Sequence, residues 1–123
     1  MRAITIATTV LILVFALAAD ATAAAGPRKQ LWGAIAYNSK SGAYGFAVDR
    51  TAKRAAESEA FRRCGSDCDV TRTFRNSCGA IADDERHFAW STGATREMAE
   101  QKALGKCAGS TCKIIVWACT SEK

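Results

Sequence analysis

The chain has 123 residues, is 49% hydrophobic and carries a formal net charge of +5, so its length predicts one domain. Its 17 basic and 12 acidic residues are dispersed. The chain contains no run of five basic residues, which would be typical of a nucleic-acid-binding tail. Six cysteines in so short a chain indicate a disulfide framework. We therefore expect a small exported domain that has no nucleic-acid partner.

The first 25 residues have the pattern of a secretory signal peptide. Met1 and Arg2 form a short basic start, an apolar run follows at 3–19, and small residues at 21–25 suit a signal peptidase. The alternative is a membrane anchor, but the run is at the short limit for spanning a bilayer. We expect cleavage near Ala23 to Ala25, which leaves a secreted or periplasmic domain at 26–123 with no stable membrane insertion.

All six cysteines lie in the expected mature domain and predict three disulfides. Their C-x3-C and C-x4-C spacings differ from the C-x2-C pairs of zinc ribbons, and an oxidising compartment favours disulfides over zinc. One possible pairing keeps each half of the chain separate, with Cys64–Cys78 and Cys107–Cys119. The pairing we prefer is Cys64–Cys68, Cys107–Cys112 and Cys78–Cys119.

Two halves of the mature chain, about 31–78 and 79–120, share the same order of motifs. The segment Gly-Ala-Ile-Ala at 33–36 recurs at 79–82, and Phe-Ala at 46–47 recurs at 88–89. The three cysteines of each half also correspond in order. This repetition predicts two tandem ββαβ units that form one pseudo-symmetric, disulfide-stapled α+β domain.

In the first half, apolar segments at 31–37 and 43–48 predict two strands joined by a turn. A helix follows, with Asp49 or Thr51 as its cap and Gly65 just beyond its end at Cys64. A more polar strand is predicted at 70–74.

In the second half, we predict strands at 79–82 and 87–91 and then a helix capped by Thr95. The final segment at 113–118 is β-branched and nearly all apolar, so we place it at the centre of an antiparallel sheet. Both helices are expected on one face of that sheet.

The predicted helices have alanine-rich faces, which allow a helix to lie close to a sheet but bury little area per residue. The core must then depend on larger side chains. These are Trp32, Phe46, Phe61, Phe74, Phe88, Trp90, Leu104 and Trp117.

Several segments together resemble a bacterial exported family, the domain of unknown function numbered 4189. The segments are GAIAY at 33–37, SGAYG at 41–45, FRNSCGA at 74–80 and VWAC at 116–119. The resemblance covers about residues 31–120 and implies one small exported domain. It supplies no catalytic residues. The acidic turn at 83–85 departs from the glycine-rich segment expected at that place.

The sequence contains no convincing catalytic constellation. His87 is the only histidine, and all cysteines are assigned to disulfides, so neither a Ser-His-Asp nor a Cys-His arrangement is indicated. The adjacent carboxylates of Asp83, Asp84 and Glu85 are typical of a solvated turn. We expect no enzymatic activity, no cofactor and no metal site.

Aromatic and arginine side chains are typical of protein interfaces, and they define the binding surface that we predict. Its residues are Trp32, Tyr37, Tyr44, Arg72 and Arg75. The leading hypothesis is a binding protein that recognises another protein, as an effector or an inhibitor. The alternatives are a small cell-wall hydrolase, which would use carboxylates such as Glu57, Asp83 or Glu85, and a structural envelope protein that binds an anionic polymer.

Overall fold

The computed structural model describes residues 29–121, which form six strands and two helices. Their types and order follow the predicted segments. The elements are β1 (Trp32–Tyr37), β2 (Tyr44–Arg50), α1 (Lys53–Cys64), β3 (Val70–Arg75), β4 (Cys78–Asp83), β5 (Phe88–Gly93), α2 (Arg96–Lys106) and β6 (Lys113–Cys119). The predicted signal peptide at 1–25 lies outside the described residues.

The strands form two antiparallel sheets, one with the order β2-β1-β3 and the other with the order β5-β4-β6. The expectation of a single sheet with the last strand at its centre is wrong, because within residues 29–121 β6 pairs with β4 alone and lies at an edge. Its apolar character has another cause. Val116 packs into the core between the sheets, while Ile114 packs on the opposite face, towards α2.

Alternation along β1 divides its side chains between two cores. Ala34 and Ala36 pack against the alanines of α1, whereas Ile35 and Tyr37 point to the other face and meet residues of the second sheet. Small side chains therefore face the helix, and larger ones fill the space between the sheets.

The second sheet is arranged in the same way around β4. Ala80 and Ala82 pack against Ala99 and Ala103 of α2, whereas Ile81 joins the core between the sheets. The layers are therefore α1, first sheet, second sheet and α2. The expectation that both helices cover one face is wrong, because each helix covers the outer face of its own sheet.

The core between the sheets is built around Phe74, whose ring needs glycine neighbours. A side chain at Gly33 or Gly79 would overlap this ring, and one at Gly79 would also overlap Trp90. The prediction that all large aromatic and aliphatic side chains form the core is wrong for five of them. The side chains about 40% exposed are Phe46, Phe61, Phe88, Leu104 and Trp117.

The two helices begin differently. Thr95 caps α2 by accepting a hydrogen bond from the Met98 backbone N–H at 3.2 Å, as predicted. Ala52 is the N-cap residue of α1 and no side chain caps this helix, so the expected cap at Asp49 or Thr51 is wrong. Asp49 instead has a φ of 60° at the end of β2, where the pairing with β1 shifts register.

Three disulfides link the elements, and they are the pairs of the preferred set. Cys64–Cys68 and Cys107–Cys112 each join a helix end to the loop that follows. Cys78–Cys119 joins the central strand β4 to the edge strand β6, with a Cα–Cα distance of 4.0 Å. The longest covalent loop therefore closes within the second sheet.

Candidate binding surface

A cleft of about 590 Å³ lies at the end of the domain where β4 and α2 begin and where β3 and β6 end. It is the candidate binding surface, and we call it the cleft. Its walls come from the β3–β4 turn, the start of α2 and the end of β6. The lining residues are Lys29, Asn76, Ser77, Cys78, Ala94, Thr95, Arg96, Glu97, Cys119, Thr120 and Ser121.

Covalent and hydrogen bonds hold the floor of the cleft in place. The Cys78–Cys119 disulfide forms part of the wall. Next to it, the Thr120 backbone N–H and hydroxyl both donate to the Ser77 carbonyl oxygen, at 2.9 and 3.2 Å. The strands on both sides of the cleft are thus fixed relative to each other.

Asn76 shapes the turn that borders the cleft. Its φ of 47° lies in the left-handed region, which asparagine tolerates better than most residues. Its side-chain oxygen accepts a hydrogen bond from the Leu31 N–H at 2.9 Å, and its own N–H donates to the Leu31 carbonyl at the same distance. These bonds tie the turn to the chain just before β1.

Arg96 stands at the rim of the cleft and stacks on an aromatic ring. Its guanidinium carbon lies 3.9 Å from the centroid of Trp117, and its Nε is paired with the Glu100 carboxylate. Trp117 is 40% exposed, so part of the ring remains accessible beside the arginine. The pair presents a flat apolar surface next to hydrogen-bond donors.

A second arginine and tryptophan meet at the same end of the domain, on the outer face of the first sheet. The guanidinium carbon of Arg75 lies 5.6 Å from the centroid of the half-buried Trp32 ring. The two residues are cross-strand partners, because Trp32 begins β1 and Arg75 ends β3. The structure thus brings together two of the five predicted surface residues.

The other three predicted residues lie apart. Tyr37 is fully buried between the sheets, with its ring 5.4 Å from Phe88, so its assignment to a surface is wrong. Tyr44 is 46% exposed but begins β2 at the opposite end of the domain. Arg72 is exposed on the edge strand β3 and donates to the Thr71 carbonyl.

Sequence analysis missed Arg96 and Trp117 as surface residues. The apolar run around Trp117 indicated a strand buried on both faces. An apolar pattern does not show that one face of an edge strand remains partly open. A signal was nevertheless present. Arg96 directly follows the predicted cap Thr95, which places it in the first turn of α2.

The acidic turn after β4 is more buried than expected. The Asp84 side chain is 7% exposed, and one of its oxygens accepts hydrogen bonds from the N–H groups of His87 and Arg86. Burial raises the pKa of Asp84, but these bonds outweigh it and hold the pKa below its ordinary value. The interpretation of a fully solvated turn is therefore wrong for Asp84.

The candidate catalytic side chains are divided between the end of β4 with the turn that follows, which holds Asp83, Glu85 and His87, and α1, which holds Glu57. His87 lies 3.1 Å from Asp84, and both belong to the same turn. Of the carboxylates considered for hydrolysis, Glu57 lies on α1 and pairs with Lys53, while Asp83 accepts a hydrogen bond from Tyr37 in another layer. In the described part of the chain, no group of three or more His, Cys, Asp or Glu side chains could hold a metal ion.

Two of the three disulfides include a cysteine at a helix C-terminus. Cys64 is the last residue of α1 and Cys107 follows the last residue of α2. The negative end of a helix dipole disfavours a thiolate, whereas reactive disulfides have cysteines at helix N-termini.

Between residues 29 and 121, no helix is long and apolar enough to cross a bilayer.

The sequence from β1 to β6 matches a family model. The match covers residues 32–119, and the model describes a "Domain of unknown function (DUF4189)". The chain belongs to this family. The resemblance noted from the sequence motifs is thereby confirmed, and the DUF4189 domain spans all six strands and both helices.

Similar proteins occur in mycobacteria. Protein Rv1269c of Mycobacterium tuberculosis is 40% identical over 90 residues, which cover 72% of this chain and 69% of that protein. Rv1813c of the same species is 38% identical over 89 residues, covering 72% and 59% respectively. The NMR structure of Rv1813c matches with a TM-score of 0.62 and 36% identity, over 76% of this chain and 77% of that one. This chain and Rv1813c therefore share one fold.

Proposed function

We propose that the chain is an exported, disulfide-stapled binding protein that recognises another protein in the periplasm or outside the cell. Arg96, which lines the cleft, and the Trp117 ring on which it stacks carry this proposal. Arginine and tryptophan dominate the residues that contribute most to protein interfaces. A partner with a carboxylate above the guanidinium and an apolar side chain on the exposed ring would match both groups.

Rigidity supports the same function. The cleft walls are fixed by the Cys78–Cys119 disulfide and by the bonds of Ser77 and Thr120, so little freedom is lost when a partner binds. Catalysis has no comparable support, because Glu57 and Asp83 lie in different layers. An anionic polymer remains a competing ligand in view of the net charge of +5, and its binding would weaken steeply with added salt.

Export is part of the proposal. Three disulfides are typical of proteins outside the reducing cytoplasm, and the pattern at 1–25 is typical of a signal peptide. Expression of the full chain in a bacterium should give an extracytoplasmic product whose mass corresponds to cleavage near Ala23 to Ala25. A full-length product retained in the cytoplasm would exclude this part of the proposal.

We also infer that the two halves arose as a tandem ββαβ repeat. In support, β1 and β4 are the central strands of their sheets, and each half places its helix on its own sheet. The pairing revises one detail of the sequence match. Ile35 pairs with Phe46 but Ile81 pairs with Trp90, so Phe46 corresponds to Trp90 in the ladder and not to Phe88.

The decisive experiment is capture of a partner by the exported, oxidised protein. The protein is immobilised and exposed to envelope extract and to extracts of neighbouring or host cells, with a reduced and alkylated sample as control. Capture of one protein in stoichiometric amount, and only by the oxidised form, is the expected result. Capture of an anionic polymer that is lost in about 0.5 M salt would favour the envelope-polymer alternative, because the Debye length is then roughly 4 Å.

A further inference from the structure

Asp49 occupies a β-bulge near the end of β2. The pairing of β2 with β1 shifts between Ala47 and Arg50, where one residue of β1 lies opposite two residues of β2, one of which is Asp49. The φ of Asp49 is 60°, in the left-handed region that few residues other than glycine adopt. A bulge turns a side chain away from the direction that regular alternation would give it. The bulge therefore determines where the Asp49 carboxylate points.

The Asp49 carboxylate holds a residue that follows the other sheet. The Ser121 N–H donates to one carboxylate oxygen at 2.7 Å, and the Ser121 hydroxyl donates to the other at 2.5 Å. Ser121 lies beyond Cys78–Cys119, the pair at the end of the β4–β6 ladder. Because the ladder does not reach Ser121, the two bonds to Asp49 fix its position.

Asp49 acts on the cleft through Ser121 and not by lining it. Ser121 is exposed and lines the cleft, whereas Asp49 is half-buried and does not. Next to Ser121, Thr120 is held by its two bonds to the Ser77 carbonyl oxygen. The wall formed by residues 120–121 is thus tied to the start of β4 on one side and to the end of β2 on the other.

Residues with a left-handed backbone are concentrated at this end of the domain. Between residues 29 and 121, three residues other than glycine have a positive φ. Asn76 holds the chain before β1 through Leu31, and Asp49 holds the chain after β6 through Ser121. Glu85 lies at the opposite end, in the β4–β5 turn. Since unfavourable backbone conformations cluster at functional sites, their distribution supports a function for the cleft.

The bond to Asp49 also fixes what the Ser121 hydroxyl can offer a partner. An ionised carboxylate only accepts hydrogen bonds, so the single hydroxyl proton of Ser121 is directed at Asp49. In any further hydrogen bond, the exposed Ser121 oxygen can therefore only accept. The wall that follows β6 presents an acceptor to the cleft.

The wall formed by the first turn of α2 is arranged differently. The Thr95 hydroxyl oxygen accepts from the Met98 N–H, so its proton remains available to a partner. Arg96 can only donate, whereas the Glu97 carboxylate accepts. Two of these three lining side chains therefore offer donors, opposite in kind to Ser121.

We propose that Asp49 is a positioning residue of the cleft, which fixes Ser121 and directs its hydroxyl so that this wall accepts a hydrogen bond from the partner. The partner presents a backbone N–H to Ser121 and a carboxylate to Arg96. Asp49 itself does not contact the partner. The inference rests on the proposed function, because it concerns how the cleft recognises the same protein partner.

The test is Asp49→Asn in the exported, oxidised protein. Asparagine has nearly the same shape and tolerates the left-handed region. Its amide oxygen can still accept from the Ser121 N–H, but its NH₂ group then donates to the Ser121 hydroxyl, which reverses the direction of that bond. Asp49→Asn should therefore weaken capture of the partner about fivefold or more, since an acceptor is lost where the partner donates, while the unfolding temperature stays near that of the parent.

The matched control is Glu85→Gln, which makes the same acid-to-amide change at an exposed left-handed residue away from the cleft. It should capture the partner like the parent. Ser121→Ala should weaken capture by a factor similar to that of Asp49→Asn, and Asp49→Asn added to Ser121→Ala should weaken it no further. Full capture by Asp49→Asn, or a second loss in the double variant as large as the first, would overturn the inference.

Hydrogen exchange measures the hold on Ser121 without a partner. The Ser121 amide of the parent should be protected although it lies beyond the ladder, and Asp49→Gly, which suits the backbone but lacks the carboxylate, should remove this protection. A Ser121 amide that exchanges freely in the parent would overturn the inference alone. Failure of the parent to capture any protein, with Ser121 protected, would overturn the proposed function and with it the role of Asp49 in recognition.

Discussion

At the scale of single residues, Gly109 shows how closely the loops pack. The loop closed by Cys107–Cys112 lies against the buried Asp84 carboxylate, and any side chain at Gly109 would overlap that carboxylate. Gly105 on α2, in contrast, has open space around its Cα. A side chain is therefore unfavourable at Gly109, whereas Gly105 has room for one.

We predict that Gly109→Ala lowers the free energy of unfolding by about 1–3 kcal/mol, because the Asp84 carboxylate must move or lose hydrogen bonds. Gly105→Ala should raise it by up to about 1 kcal/mol, since alanine is the better helix former. Urea unfolding of both variants and the parent measures this. Equal effects of the two substitutions would contradict the packing at Gly109.

Residue-scale predictions from the sequence succeeded where local chemistry decides the outcome. Thr95 was predicted as a cap and Gly65 as a helix end, and both are confirmed, because capping depends on nearby backbone groups. Tyr37 was misplaced because its burial depends on the second sheet. Its hydroxyl bonds to Asp83, which is 46 residues away in the chain.

At the scale of elements, Glu59 links α1 to the edge of β2. The Glu59 side chain is 14% exposed and lies between Arg50 and Arg63. A hydrogen bond from Arg50 holds the pKa of Glu59 below its ordinary value, although partial burial raises it. Because the folded pKa is depressed, this contribution to stability is present at neutral pH and is lost as the pH falls through that pKa.

We predict that Glu59→Gln destabilises the protein at neutral pH and that the difference from the parent shrinks as the pH falls below the ordinary glutamate pKa. Glu57→Gln, on the exposed side of the same helix, is the control and should differ little from the parent at any pH. Thermal unfolding measured across the acid range tests both. A pH-independent difference for Glu59→Gln would show that its charge is not involved.

Element types and their order could be predicted from the sequence, whereas strand order could not. The run at 113–118 is nearly all apolar, which favoured a central strand. In the structure, β6 is an edge strand whose two faces are covered by the other sheet and by α2. Apolar pattern reports burial of faces but contains no information about which strands pair.

At the scale of the whole molecule, the three disulfides should contribute unequally to stability. Cys78–Cys119 closes a loop with a sequence separation of 41, whereas Cys64–Cys68 closes one with a separation of 4. Loss of conformational entropy in the unfolded chain grows with loop length. The longer loop therefore restricts the unfolded state more.

We predict that replacing both Cys78 and Cys119 by alanine lowers the free energy of unfolding by about 4 kcal/mol, and replacing Cys64 and Cys68 by about 2 kcal/mol. Denaturant unfolding of the two double variants gives both values. The reverse order would mean that native packing, and not loop closure, determines what each disulfide contributes.

The candidate site could be predicted only in part at this scale. Trp32 and Arg75 were selected from the sequence and are neighbours in the sheet, but the cleft depends on how the β3–β4 turn meets α2 and β6. Those segments are distant in the chain, and the sequence motifs do not indicate that they lie close together in the fold. Arg96 and Trp117 therefore emerged only from the structure.

Partner capture by matched surface variants tests the central claim most directly. Trp117→Ala and Arg96→Ala remove the stacked pair of which Arg96 lines the cleft, whereas Phe61→Ala and Arg72→Ala remove exposed side chains that do not line it. We predict that the first two reduce capture of the partner about tenfold or more while all four remain folded. Equal capture by all four variants would contradict a binding function for the surface around the cleft.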